Sequence, residues 1–350
     1  MTGTVDPAFA PVAEVFEEFL SSGRETGGAV AAYVGGRRVV DLWGGWTDAA
    51  RTRPWSPDTL VTIFSAGKPL AATCLLRHVD DLDAPVSRFW PEFAAGDKST
   101  ATVRHALAHQ AGVPAVAGRL SVADAFDWDV FAQAIADTPA AWVPGTAHGE
   151  HALTYGHLLG EILRRATGTT IGDAARDLPF DVHVGLRDED LPRVAEVGYG
   201  HPGWPAEALG GHGELWTKAL GNPAGLLDLE VLNGDGWRRG LLPAVNAHAS
   251  ARGLASFYAA LLARDSRVLP RAVRDEALAP QAVGPDRLLG EEATWTLGWR
   301  RDGGWVGMGG IGGSSAGLDE DRGYALAYVT RHLDSHDRSN ACYDALEACL

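Results

Sequence analysis

Near the start of the chain Phe9, Val12, Val15, Phe16 and Phe19 recur at helical spacing within residues 6–22, which predicts an amphipathic helix ending near Gly23. The pattern then changes. Ala29 to Val34 and Arg37 to Trp43 are two β-rich runs around Gly35-Gly36, a hairpin signature. At the far end, 295–299 and 323–330 read as strands and 340–350 as a closing helix, so both ends are expected to share one sheet. Between them Ala, Leu and Arg recur at helical spacing, broken by turns such as Pro144-Gly145 and Asn222-Pro223. The expectation is an α/β (α+β) protein: an antiparallel sheet flanked by terminal helices, built from 1–64 together with 255–350, with a mostly helical part inserted at 65–254. Residues 198–240, rich in Gly, Pro and Trp with weak periodicity, are expected to form a long, lid-like loop.

A chain of 350 residues with an ordinary balance of apolar and charged positions can bury a large core, and no repeat or low-complexity linker divides it. A formal charge of −15 without any Lys/Arg run argues against nucleic acid, whose binding needs a basic stripe. No run of 18 apolar residues is present, so no spanning helix or membrane partner is expected. Residues 1–20 carry Asp6, Glu14, Glu17 and Glu18 rather than a basic-then-apolar leader, and a cytoplasmic location is expected. Cys74, Cys342 and Cys349 lack metal-type spacing and read as small apolar residues.

The candidate chemistry begins at Ser65-Ala66-Gly67-Lys68, just before the apolar run 70–76. On a helix, residues three apart share a face, so the lysine amine can reach the serine hydroxyl and act as its base. The chain has only three lysines, Lys68, Lys98 and Lys218, and otherwise uses arginine, which cannot give up its proton. Tyr155 and His157 open a second helical run; a phenol beside a cationic lysine can serve as a proton shuttle. Glycine density at 307–314 suggests backbone left bare for a ligand's approach.

Ser65-x-x-Lys68, Tyr155-x-His157 and the glycine-rich stretch 307–314, in this order, resemble the three motifs of class C β-lactamases, penicillin-binding proteins and family VIII carboxylesterases. Flanking segments such as 40–45, 82–86, 90–93, 144–149 and 251–253 are similar to the esterase branch. The resemblance implies a β-lactamase/transpeptidase-like fold with the site in the cleft between sheet and helical part. It implies Ser65 as nucleophile, Lys68 and Tyr155 sharing the proton, and the main-chain N–H groups of Ser65 and Ile311 as oxyanion hole. His157, Met308, Gly309 and Gly310 would face substrate. No cofactor or metal is implied.

Met308 departs from the family, which has lysine, histidine or tryptophan there; a substrate carboxylate would lose a partner. That favours an esterase acting on a small neutral ester or acyl donor. The alternatives, in order, are an acyltransferase passing the acyl group to an alcohol or amine in secondary metabolism, a β-lactamase or D-aminopeptidase, and a non-catalytic ligand-binding relative. Two competing motifs are set aside. Gly313-Ser314-Ser315-Ala316-Gly317 has the form of a nucleophile elbow but lacks a following helix and βαβ surroundings, and His148-Gly149-Glu150-His151 has no zinc spacing. Tryptophans in 204–237 are candidates for an apolar acyl pocket.

Overall fold

The computed structural model describes residues 1–211 and 213–350. The strands are β1 (Thr2–Val5), β2 (Gly27–Val34), β3 (Arg37–Gly45), the two-residue β4 (Val61–Thr62), β5 (Val182–His183), β6 (Gly198–Tyr199) and β7 (His248–Ala249), then β8 (Ala282–Pro285), β9 (Glu292–Trp295), β10 (Arg300–Asp302), β11 (Trp305–Gly309), β12 (Ser315–Asp319), β13 (Tyr324–Thr330) and the short β14 (His332–Leu333). Nine form one antiparallel sheet in the order β1-β3-β2-β13-β12-β11-β10-β9-β8. The two ends of the chain therefore meet at β2 and β13, where Tyr324 pairs with Val34 and Thr330 with Gly28. The mixed α/β architecture expected from the hydrophobic pattern is present.

Alternation explains why β13 can sit at the centre. Ala325, Ala327 and Val329 join the large core on one side, while Tyr324, Leu326 and Tyr328 join a second core on the other. The first face is covered by helix Ala251–Leu262, which straddles the expected 254/255 boundary and packs on β2, β12 and β13. The second is covered by helices Ala10–Ser22 and Asp337–Glu347, which also pack on each other. A buried ion pair ties these ends together: Arg338 lies 3.0 Å from Glu25, which also accepts a 2.6 Å hydrogen bond from Tyr328.

Three expectations need correction. The closing helix starts at Asp337, and residues 296–299 turn rather than continue β9. The segment 198–240 is not a structureless lid: it contains helices Trp204–Gly210, Glu214–Leu220, Leu229–Leu232 and Asp235–Arg239. Each is only one or two turns long and separated by Gly or Pro, too short for a 3.6-residue period to register in the sequence. β1 is not anticipated by the pattern either, because Thr-Gly-Thr-Val carries little apolar signal. No helix among the described residues is long and apolar enough to cross a membrane.

Candidate active site

The approach to Ser65 is set by strand pairing and one strained residue. β4 pairs with β7, and the Ile63 N–H donates to Ala247 O at 2.9 Å. Phe64 then adopts a left-handed φ of 48°, costly for a bulky side chain and here held by burial against Trp237 at 5.7 Å between ring centres. This turn presents Ser65, the one half-buried residue in a buried run, at the mouth of a short 3-10 turn, Phe64–Gly67. Lys68 and Pro69 open the following helix, Lys68–Leu76, at positions where a missing proline N–H costs nothing. Every residue of that helix is buried, so it is a core helix rather than an amphipathic one, and its first residue cannot swing into water.

Lys68 and Ser65 are brought together as expected, with Nζ 2.6 Å from Oγ. The partner on the other side of the ammonium is Glu150, whose Oε1 lies 2.8 Å away. Burial pushes the Lys68 pKa down, and the Glu150 carboxylate opposes that shift by charge and hydrogen bond. The Glu150 loop is pinned through its own N–H to both oxygens of buried Asp286, at 3.2 and 3.0 Å. Asp286 also accepts from the N–H groups of Leu288 and Leu289 and from Trp295 Nε1, each at 2.8 Å.

Tyr155 does not join this group. It lies in the first turn of helix Thr154–Thr167, where its phenol donates to Leu107 O at 3.0 Å, the last carbonyl of helix Val103–Leu107. Its ring packs 4.3 Å from His109, and burial holds its pKa well above the ordinary value. Its hydroxyl is thus engaged with main chain of the helical core rather than with Ser65 or Lys68. His157 is also corrected: fully buried between Trp128 (4.4 Å) and Phe131 (4.3 Å), with neither ring nitrogen hydrogen bonded, it faces no cleft. The helix is buried on all sides from Thr154 to Leu163, so both side chains are enclosed although they point in different directions, and it is the loop just before the helix that reaches Lys68.

The third stretch does reach the cleft. Met308 and Gly309 close β11, pairing with Ala316 and Ser315 of β12, and Ile311 follows in the turn beyond. Gly310 passes so close to the Ser65 approach that a Cβ there would sit 2.1 Å from Ile63 O, so only glycine fits. Ser315 itself is a buried strand residue opposite Gly309, with no helix after it. Of the set-aside histidines, His148 Nε2 lies 3.2 Å from Gly284 O, while His151 bonds Gly149 O through Nδ1 and accepts from the Val113 N–H.

Ser65 opens into a cleft of about 410 Å³. One wall is apolar, from Trp204, Ala208, Trp216, Leu220 and Ile311; the tryptophans come from the short helices of the 204–220 region. Glu150, Glu207, Asp334 and His336 also line it, and no described lining residue is Lys or Arg. Past Glu150, Met308, Gly309 and His336 it continues into a broader, more polar groove of about 1010 Å³. There Arg300 and Arg322 are held by Glu291 and Glu347. Sequence reasoning misses Glu150 as a partner of Lys68 because its only signal is a carboxylate after a Pro-Gly turn, one acidic residue among 45.

Comparison with known proteins places the chain in a family. A Mycobacterium tuberculosis protein described as "Esterase/beta-lactamase LipL" is 33% identical over 371 residues, covering 95% of this chain and 83% of that protein. A family VIII carboxylesterase structure superposes with a TM-score of 0.90 at 29% identity, covering 100% of this chain and 99% of the other. A penicillin-binding protein homologue from Caulobacter crescentus gives 0.86 at 34% identity, with 100% and 99% covered. Residues 12–348 match the Beta-lactamase family, and the chain belongs to that family.

Proposed function

We propose that this protein is a serine ester hydrolase that cleaves small, uncharged carboxylic esters through an acyl-enzyme on Ser65. The observation that carries the reading is the 2.6 Å contact between Lys68 Nζ and Ser65 Oγ at the floor of the cleft. A desolvated lysine that hydrogen-bonds a serine can take its proton as the oxygen attacks a carbonyl. The main-chain N–H groups of Ser65 and Ile311 receive the developing oxyanion, a role that main-chain donors fill at little reorganisation cost. The tryptophan wall takes the acyl chain.

The wall chemistry supports a neutral substrate. Glu207 and Asp334 line the cleft, Met308 offers no charge, and Lys68 already has an anion, so a substrate carboxylate finds repulsion and no cationic partner. Penicillins and cephalosporins carry such a carboxylate. The groove beyond Met308 and His336 gives room for an acceptor larger than water, which favours transfer to an alcohol or amine as a second reading.

The test is intact-mass spectrometry with a fluorophosphonate and with p-nitrophenyl esters, on the parent protein and Ser65→Ala. One adduct on the parent, none on Ser65→Ala, and steady turnover of p-nitrophenyl butyrate are expected. Adduct formation on Ser65→Ala, or hydrolysis of a penicillin faster than of the butyrate ester, overturns the reading.

A further inference from the structure

Lys68 has two side-chain partners, Ser65 at 2.6 Å and Glu150 at 2.8 Å, and the second is unexplained by acylation alone. A carboxylate at that distance holds a proton on the amine and so works against a lysine that must remove one. Yet the carboxylate is built in. Its main chain is fixed on Asp286, and Asp286 is itself fixed by three further donors. Glu150 also borders both the cleft at Ser65 and the groove beyond it. An ion pair serving stability alone has no use for that position, since it faces the space from which water reaches an acyl group on Ser65.

We infer that Glu150 is the base that activates the deacylating water, with Lys68 serving the serine. This rests on the acyl-enzyme reading given above. In acylation Lys68 passes a proton to Glu150 and takes the hydroxyl proton of Ser65 as Oγ bonds the ester carbon. The leaving oxygen departs as an alcohol with a proton from Lys68, and Glu150 returns its proton to the lysine. In deacylation the Glu150 carboxylate takes a proton from water, and the water oxygen bonds the acyl carbon. The C–Oγ bond breaks, Ser65 recovers a proton from Lys68, and Glu150 again restores the lysine. One water is consumed and all three groups end as they began.

The titratable groups around the pair are Lys68 on the nucleophile helix, Asp286 between β8 and β9, His148 and His151 on the same loop, His109 in contact with His151, and His336, Asp334 and Glu207 among the other residues lining the cleft. Burial pushes the pKa of His109, His151 and His336 down, which disfavours their charged forms.

The experiment compares the parent protein, Glu150→Gln and Glu150→Asp with p-nitrophenyl butyrate, reading the acyl adduct by rapid-quench mass spectrometry and its decay in water and in deuterium oxide. General-base losses run to about 100-fold or more. Without that carboxylate, burial favours the neutral amine of Lys68, which still takes the serine proton, so Glu150→Gln is expected to form the adduct and hold it at least 100-fold longer. Glu150→Asp is expected to release it faster than Glu150→Gln and more slowly than the parent. Equal adduct lifetimes in the parent and Glu150→Gln overturn the inference while leaving the Ser65 reading intact, as does a folded Glu150→Gln that forms no adduct. Absence of an adduct on the parent sinks both. If Glu150→Gln does not fold, a decay on the parent that shows no solvent-deuterium isotope effect overturns it.

Discussion

Tyr155→Phe separates the motif from the geometry. A catalytic phenol would make this substitution cost 10²–10⁴-fold in kcat, the usual worth of a general base. In the structure the hydroxyl makes one hydrogen bond, donating to the Leu107 carbonyl at 3.0 Å, fully buried, at the end of a five-residue helix. Its removal costs the net worth of a neutral hydrogen bond, about 1 kcal/mol, plus part of the penalty for a buried carbonyl left short of a donor, about 1–2 kcal/mol in all. With an unfolding entropy of about 2.1 cal/mol/K per residue, a chain of this size loses roughly 1.5–3 °C in Tm. The ring and its contact with His109 stay, so no cavity forms. Thermal unfolding by calorimetry and p-nitrophenyl butyrate kinetics on the same preparation read both quantities. A small fall in Tm with kcat within twofold of the parent is expected. A hundredfold loss of kcat at unchanged Tm would refute the structural assignment of Tyr155.

Three further outcomes follow from the same structure. Arg338→Ala leaves the buried Glu25 carboxylate without its cation, a loss of about 3–5 kcal/mol that urea denaturation should register; a change below about 1 kcal/mol counts against that pair as the tie between the chain ends. Burial holds His151 at about 4 and His157 and His248 at about 3, and His109 well below 6.5. All four folded values lie below the unfolded one, so their stability is present above pH 6.5 and drains away as pH falls, because only the unfolded chain takes up the protons. At about 1.4 kcal/mol apiece per pH unit, the four together remove on the order of 5 kcal/mol by pH 5.5. Urea midpoints that stay level between pH 8 and pH 5.5 would contradict this. Met308→Lys places a cation in the cleft wall and should lower KM for a carboxylate-bearing ester about two- to fivefold relative to a neutral one, a partly solvated ion pair being worth up to about 1 kcal/mol. No change in that ratio would show that Met308 does not face the substrate.

What is legible in the sequence follows the range of the signal. The β2–β3 hairpin shows in its own residues, because Gly35-Gly36 and two apolar runs are local. Ser65 and Lys68 are three residues apart, and the turn that unites them is equally local. Glu150 meets Lys68 from 82 residues away, and nothing in its neighbourhood distinguishes it from other loop carboxylates. Tyr155 misleads for a related reason: a Tyr-x-His pair at the start of a helix is visible, whereas the rotation of that helix is set by packing against Lys68–Leu76 and Val103–Leu107. The lid expectation fails because composition reports the number of chain breaks, not what lies between them.

The sheet that backs this site imposes an order of events during synthesis. β2 leaves the ribosome early but must wait for β13, its neighbour on the open side, which is made only after the whole helical middle. Pairing across such a separation is slow, so the helices are complete long before the sheet can close. The Ser65 turn belongs to the early part, and the β11 wall opposite it to the late part. A nascent chain thus holds its nucleophile without the strand that completes the cleft, and reactivity arrives only as β11 to β13 dock.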